Sequence, residues 1–374
     1  MWHPKAMFPC YLKQASVDEK YNYFVSGFSQ KHKRILSIHE EIRENFFSSR
    51  EQTIGLVIGP TGVGKSHLAS NLMAEAYKNM ESSSDLLPEL PMIYIEANVL
   101  GRATFSWKDF YEDILIATGE QKNIRVYGRP KEPGIAEGSK YSTRNRTEAE
   151  LKRDAIDRLV KYKVRYLLID EIQHIFKYGG GTGEKSLDIL KSFASRAGCR
   201  ILGLGTYGIS FSIERSSELA RRILEIHFAP YSMDSPSDIY SFEEAFIGLL
   251  ASIPIEIDER LSDFSSDAFV GSCGCVGILK EWMERSLNQA LNSDSPILRV
   301  DNFRLTRLKG SQLKQIAEDL KEGKAFFAEP EDSEIWSLLG GNKKQDSGLS
   351  PTQRKSSSVI KPGQRKPGRD KVGI

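Results

Sequence analysis

The chain has 374 residues, a formal charge of +2, 40% hydrophobic and 27% charged residues. This is the composition of a globular protein with one large core and flanking segments, or two domains. Its apolar runs, such as Tyr166 to Ile169 and Ile201 to Leu204, are a few residues long against the roughly 20 a membrane span needs, so no membrane role is expected.

The start, Met1-Trp2-His3-Pro4-Lys5, lacks an apolar stretch ending in small residues, and four thinly spread cysteines suit a reducing compartment; the expected location is the cytoplasm. Residues 1–52 read as an N-terminal extension. Aromatic residues (Trp2, Phe8, Tyr11, Tyr21, Tyr23, Phe24, Phe28) precede a stretch over 31–47 where Ile35, Ile38, Ile42 and Phe46 recur at spacings of three and four, one apolar helix face packed on a core. Residues 53–58 read as a short buried strand that runs into a glycine-rich turn and a helix over 65–78. A loop rich in Ser, Asp and Pro follows, then a second strand at 92–97 and a helix at 107–118. Residues 121–146, dense in Gly, Pro, Lys and Arg, read as an exposed loop. A helix over 147–162 leads to the third strand, 164–169, which ends at Asp170-Glu171. After Gly179-Gly180-Gly181 come a helix at 184–197, the fourth strand at 200–205, a polar segment bearing Arg221 and Arg222, and a strand-like run at 223–228.

From 235 to 323 the signals are mostly helical. Cys273 and Cys275 stand too close for a zinc knuckle, and no second Cys or His pair follows, so they read as structural thiols. Residues 324–374 read as a linker and tail. From Gly341 on, nine Lys/Arg face two Asp, a +7 tail on a mildly acidic body, with almost no large apolar residue to offset the entropy of ordering. Alternating strands and helices imply a parallel sheet. The expected fold is therefore α/β, a parallel-sheet core over 53–234 with a small α-helical lid over 235–323.

Two motifs carry the chemistry. Gly59-Pro60-Thr61-Gly62-Val63-Gly64-Lys65-Ser66 matches the phosphate-binding pattern G-x-x-x-x-G-K-[ST] between a strand and a helix. Its N–H groups and the helix N-terminus suit phosphate, Lys65 neutralises phosphate charge, and Ser66 ligates Mg²⁺; His67, next on the helix, completes the nucleotide-contacting set. About a hundred residues on, Asp170 at a strand end is the candidate to hold Mg²⁺, and Glu171 to orient or deprotonate the attacking water. ATP and Mg²⁺ are thus the expected cofactors, and ATP hydrolysis the expected activity. Thr206, at the end of the fourth strand, is a candidate for contacting the γ-phosphate or that water, with a plain turn residue as the alternative. Arg221 or Arg222 is a candidate arginine finger, with solvated surface arginine as the alternative. Lys280, in Gly277-Ile278-Leu279-Lys280 at a helix start, is offered to the same nucleotide, or is a solvated helix lysine.

Taken together, these residues resemble the AAA+ ATPases over about 59–291. The phosphate loop, Ile169-Asp170-Glu171-Ile172-Gln173-His174-Ile175, Gly203-Leu204-Gly205-Thr206, Leu219-Ala220-Arg221-Arg222 and the helix with Gly277 and Lys280 look like the transposition-regulator ATPases of the TnsC/TniB type found in CRISPR-associated and related transposons. The resemblance implies an ATP-dependent homo-oligomer, a ring or filament around double-stranded DNA, that links a target-selector protein to a transposase. It also implies that Asp170 and Glu171 are the Walker B pair, Thr206 the first sensor, Arg221 or Arg222 the finger and Lys280 the second sensor, where many AAA+ proteins have Arg. Arg102, Lys108, Arg144 and Arg146 are candidates to touch DNA phosphates, each as easily an exposed loop charge. The basic tail reads as a DNA-attracting segment, a recruitment arm or an idle solvated one. Helicase loaders and replication-initiator ATPases share most of these motifs and form the alternative reading.

Overall fold

The computed structural model describes residues 7–28, 30–48, 53–78, 90–99, 105–119, 146–179, 183–209 and 223–339. Runs of Ile, Leu and Val too short for helices form five strands: β1 (Ile54–Ile58), β2 (Met92–Glu96), β3 (Tyr166–Asp170), β4 (Arg200–Gly205) and β5 (Ile223–His227). They make one sheet in the order β2-β3-β4-β1-β5, every pairing parallel. Each strand matches the sequence expectation to within two residues at either end.

Parallel strands need crossovers, which cover both sheet faces. The helices of the first unit's core are α1 (Val17–Asn22), α2 (Lys33–Glu41), α3 (Lys65–Lys78), α4 (Trp107–Gly119), α5 (Glu148–Lys161), α6 (Gln173–Tyr178) and α7 (Gly183–Ala197). Strand side chains alternate between faces. Ile54, Leu56 and Ile58 join Phe110, Leu159 and Phe193 in one buried cluster, while Val57 and Leu202 join Leu68, Ile38 and Phe46 in another. The predicted apolar face Ile35, Ile38, Ile42 and Phe46 is buried in that second cluster. Its predicted single helix is α2 followed by a π-helical stretch, Ile42–Phe47. A capping box between Thr147 and Glu150 starts α5, satisfying N–H groups that the first helical turn leaves unpaired.

Residues 235–323, where a helical lid is expected, begin with α8 (Pro236–Ala251), α9 (Ser265–Ser272), α10 (Val276–Leu291) and α11 (Val300–Thr306), with a two-residue parallel pair, β6 (Glu256–Ile257) and β7 (Ile297–Leu298). Ser235 caps α8, with Pro236 in its first turn. This part has its own buried cluster around Trp282, Phe246, Phe264 and Phe303, and Phe24 of the N-terminal segment is buried in it. The following helix, α12 (Gly310–Phe326), ends against the core: Phe327 stacks on His227 with centroids 4.0 Å apart, and Lys324 pairs with Asp234 at 2.6 Å. The described residues beyond Phe327 belong to a second unit and hold α13 (Asp332–Leu338). Among the described residues no helix is long and apolar enough to cross a membrane. The exposed loop expected at 121–146 lies almost wholly outside the described residues, as does the basic tail.

Candidate functional site

Parallel register brings the C-terminal ends of three strands to one edge of the sheet: Ile58 pairs with Gly205 and Ile169 with Gly203. This is where open α/β sheets collect ligands. The turn leaving β1 is the glycine-rich loop. Gly62 and Gly64 have φ of +75° and +114°, backbone conformations that favour glycine and aim consecutive N–H groups at an anion. Lys65 opens α3, only 7% exposed, and its Nζ donates to the carbonyls of Gly59 (2.9 Å) and Pro60 (2.8 Å). Burial pushes its pKa below the usual lysine value, against the opposing pull of Glu171 and Asp170. The ammonium thus rests on neutral carbonyls.

Asp170 ends β3, 3% exposed. Its Oδ2 accepts from the Ser66 hydroxyl (3.2 Å) and from the Tyr94 hydroxyl on β2 (2.9 Å), and its Oδ1 accepts from the Glu171 N–H (2.9 Å). Ser66 and Asp170, 104 residues apart in sequence, are therefore in direct contact. A hydroxyl and a carboxylate side by side are hard oxygen donors suited to Mg²⁺, beside an ammonium and a helix N-terminus suited to phosphate. The residues present fit a divalent cation bound together with a polyphosphate. Glu171 adopts φ +52°, the left-handed region that costs a non-glycine residue on the order of 1 kcal/mol or more and recurs at functional sites. Its Oε2 accepts from the Gln173 side-chain amide, whose Oε1 accepts the Thr206 N–H at 3.1 Å. Tyr94 and Gln173 were not anticipated from sequence: a tyrosine near a strand end reads as packing, and a glutamine after two acids reads as a helix residue.

The lid meets the loop directly. The N–H of Ile278 donates to the Gly62 carbonyl at 3.2 Å. A Cβ on Gly277 would stand 2.3 Å from that same oxygen, so this approach requires glycine. Lys280, one turn on, donates to the carbonyls of Val25 (3.0 Å) and Phe28 (3.4 Å), with Glu284 3.8 Å away. Its charge, with that of Lys31, adds to burial in lowering the pKa of His67 on α3, which puts all three near one another. Lys280 thus lies beside the loop's helix, with its ammonium turned onto the N-terminal segment. Deeper in the same seam His32 is buried with its Nδ1 3.1 Å from the Tyr231 hydroxyl. Burial first, then the charges of His67 and Arg34, lower its pKa to about 4.

Arg102, Arg144, Arg221 and Arg222 lie outside the described residues. Lys108 is half-buried in the first turn of α4. Arg146, just before α5, is ion-paired with Asp154.

A family model described as an AAA domain matches residues 48–211. No curated protein matches the chain. Among solved structures, the chain is similar to the ORC1 protein of Aeropyrum pernix in complex with DNA, with a TM-score of 0.52 at 15% identity, over 86% of this chain and 86% of that one. It is also similar to the ORC2 protein of Aeropyrum pernix in ADPNP–ADP complexes, with a TM-score of 0.50 at 13% identity, over 78% of this chain and 74% of that one. With an AAA domain matched across the phosphate loop and the Asp170-Glu171 strand, and a five-stranded parallel sheet flanked by helices, the chain has the AAA+ P-loop fold.

Proposed function

We propose that this chain is a regulatory ATPase that uses Mg-ATP to control its own assembly on double-stranded DNA, and that it serves DNA transposition by linking a target-selector protein to a transposase. The observation that carries the ATPase reading is the meeting of Lys65, Ser66, Asp170 and Glu171 at one strand edge with a lid seated on the loop. Bound Mg-ATP supplies a γ-phosphoryl group for transfer to water, a reaction that needs positioning and charge stabilisation more than covalent help. Lys65 exchanges its two carbonyl partners for phosphate oxygens. Ser66 and Asp170, already in contact, hold the cation, with Tyr94 fixing the Asp170 carboxylate. Glu171 accepts the proton of the attacking water, Thr206 contacts the γ-phosphate side, and Arg221 or Arg222 of a neighbouring copy supplies the finger. Because the lid touches Gly62, occupancy of the loop reaches the lid without an intermediary, which supports a switch rather than a catalyst whose product matters.

The transposition role rests on the motif resemblance, and duplex DNA as a ligand gains support from the likeness to an ORC1 protein solved with DNA. That same likeness favours keeping a second reading, a helicase loader or replication-initiator ATPase, which shares the whole site. The test is microscopy of the protein on linear duplex with a non-hydrolysable ATP analogue or with ADP. Rings or filaments with the analogue alone are expected. Isolated particles in both states, together with capture of a replicative helicase, would establish the second reading instead. DNA affinity is expected to fall steeply with salt, since phosphate contacts release counterions.

A further inference from the structure

We propose that Gln173 is a positioning residue that ties the Glu171 carboxylate to the Thr206 turn, so that the base is aligned only while that turn is in place. This rests on the ATPase reading above and adds to it a residue to which neither the motif nor the resemblance gives a role.

Gln173 is the first residue of α6 and is buried, 8% exposed. Both ends of its amide are used: Nε2 donates to Glu171 Oε2, and Oε1 accepts the backbone N–H of Thr206 at 3.1 Å. Few side chains can do this. The carboxylate needs a donor and the N–H needs an acceptor, and a carboxamide carries one of each without adding charge. Glutamate in its place would offer acceptors only and set a second negative charge beside the first.

The surroundings hold the bridge from three sides. Glu171 sits in a left-handed turn with its N–H on Asp170, and the N–H of Ile172 is pinned to the Leu204 carbonyl of β4 at 3.0 Å. The backbone on both sides of the Gln173 amide is therefore anchored to the strands it joins. On the β4 side the strand ends in Gly205, where a Cβ would come within 3.0 Å of the Gln173 Oε1 and 2.2 Å of Ile209. Any side chain at that position would intrude on the space the amide occupies. A glutamate carboxylate reaches its target through three rotatable bonds, and an error of about 1 Å in a reacting group costs on the order of a hundredfold in rate. One part-buried hydrogen bond to a fixed amide removes most of that freedom. Anchoring the amide in turn to the Thr206 N–H makes the two γ-phosphate-side elements, Glu171 and the Thr206 turn, move as one.

The test uses the full chain. Affinity for a fluorescent ATP analogue and single-turnover hydrolysis are measured for the natural protein, Gln173→Met, Gln173→Glu, Glu171→Gln and the double variant Glu171→Gln/Gln173→Met. Gln173→Met keeps the side chain's length and loses both hydrogen bonds. It is expected to bind the analogue within about twofold of the natural protein and to hydrolyse ATP on the order of 10- to 100-fold more slowly. The double variant is expected to be no slower than Glu171→Gln alone, because a residue acting through the base has nothing left to position. A merely structural glutamine would slow the double variant further, which would overturn the proposal, as would a natural rate in Gln173→Met. If Gln173→Met fails to fold, Gln173→Glu carries the test: slowed hydrolysis with retained affinity supports the role, and a natural rate overturns it. A natural protein that binds the analogue but never hydrolyses ATP would refute the ATPase reading and this inference with it. Natural hydrolysis with indifferent Gln173 variants refutes this inference alone.

Discussion

Replacing Gly277 with alanine tests whether the lid is seated on the phosphate loop, and the sign of the effect decides it. Gly277 is the second residue of α10, where alanine is the better helix former by up to about 1 kcal/mol. With no other effect the variant would be stabilised. Its Cβ, however, would lie 2.3 Å from the Gly62 oxygen, 2.9 Å from the Gly62 carbonyl carbon and 3.3 Å from the Gly62 Cα, all backbone atoms that cannot rotate away. Overpacking of this kind costs about 1–3 kcal/mol, and lifting the helix clear also loses the Ile278 N–H bond to Gly62, about 0.5–1.5 kcal/mol. The expected net is a destabilisation of about 1–3 kcal/mol, a fall of several degrees in Tm for a chain of this size, read by thermal unfolding without nucleotide. Gly310→Ala is the matched control. Gly310 opens α12 with nothing within 4 Å of its would-be Cβ, so the same substitution should be neutral or slightly stabilising there. If Gly277→Ala melts at or above the natural protein, in step with Gly310→Ala, the lid is not on the loop and the proposed route from nucleotide to lid fails.

Lys65→Met removes a charge whose burial costs stability and whose partners are neutral carbonyls. Its nucleotide-free Tm is expected to equal or exceed that of the natural protein, while the rise in Tm on adding Mg-ATP disappears. Glu171→Gln is expected to keep nucleotide affinity and lose hydrolysis on the order of a hundredfold or more, trapping the DNA-bound assembly in sedimentation. Buried His32 predicts an acid-labile seam. Its pKa is lowered from 6.5 to about 4, so below 6.5 the unfolded chain takes up a proton that the folded chain refuses. Stability is then lost as pH falls from about 6.5 to about 4, by about 3 kcal/mol at most. His32→Gln should lessen that part of the slope in a urea-denaturation pH series, leaving the share of His227, whose pKa burial also lowers to about 4; an unchanged slope would remove His32 as a source.

The strands were legible because each is a short apolar run bounded by turn residues, and the loop because G-x-x-x-x-G-K-S has a fixed mechanical job. The order of the strands was not: nothing local to 54–58 says that β1 lies between β4 and β5, since that follows from crossovers through helices distant in sequence. The site divides the same way. Lys65, Ser66, Asp170 and Glu171 announce themselves by type and spacing. Tyr94, whose hydroxyl orients Asp170 across 76 residues, looks like any half-buried strand aromatic. Gln173 stands in a motif string that gives it no role, because its partners are a side chain two residues back and a backbone N–H 33 residues on. Gly277 marks a helix start in the sequence, but its reason is a contact with Gly62 that only the fold creates. Lys280 shows the limit most plainly: spacing put it near the nucleotide side, while its hydrogen bonds go to Val25 and Phe28 in a segment whose approach to the lid no periodicity encodes.

Lys65 and Lys280 share a feature that bears on how a ligand would engage them. Both are buried enough to lower their pKa, and both donate to backbone carbonyls. A carbonyl offers a buried ammonium only a partial negative charge, whereas a phosphate oxygen offers a formal one and attracts it more strongly. Exchanging carbonyl for phosphate is therefore favourable, and the two carbonyls that each ammonium leaves are neutral acceptors that water or a neighbouring N–H can satisfy. Had carboxylates held these lysines, the same exchange would strand a buried negative charge, at a cost of about 3–5 kcal/mol. Glu284, one turn on, forms an ion pair with Lys280 at 3.8 Å, too long for a direct hydrogen bond. Lys65 leaving its carbonyls alters only the loop itself. Lys280 leaving Val25 and Phe28 removes hydrogen bonds between α10 and the N-terminal segment, the same segment that sends Phe24 into the lid's buried cluster. Of the two lysines, it is Lys280 whose engagement would loosen one part of the chain from another, so the conformational response to nucleotide should be sought between the lid and residues 24–32 rather than within the sheet.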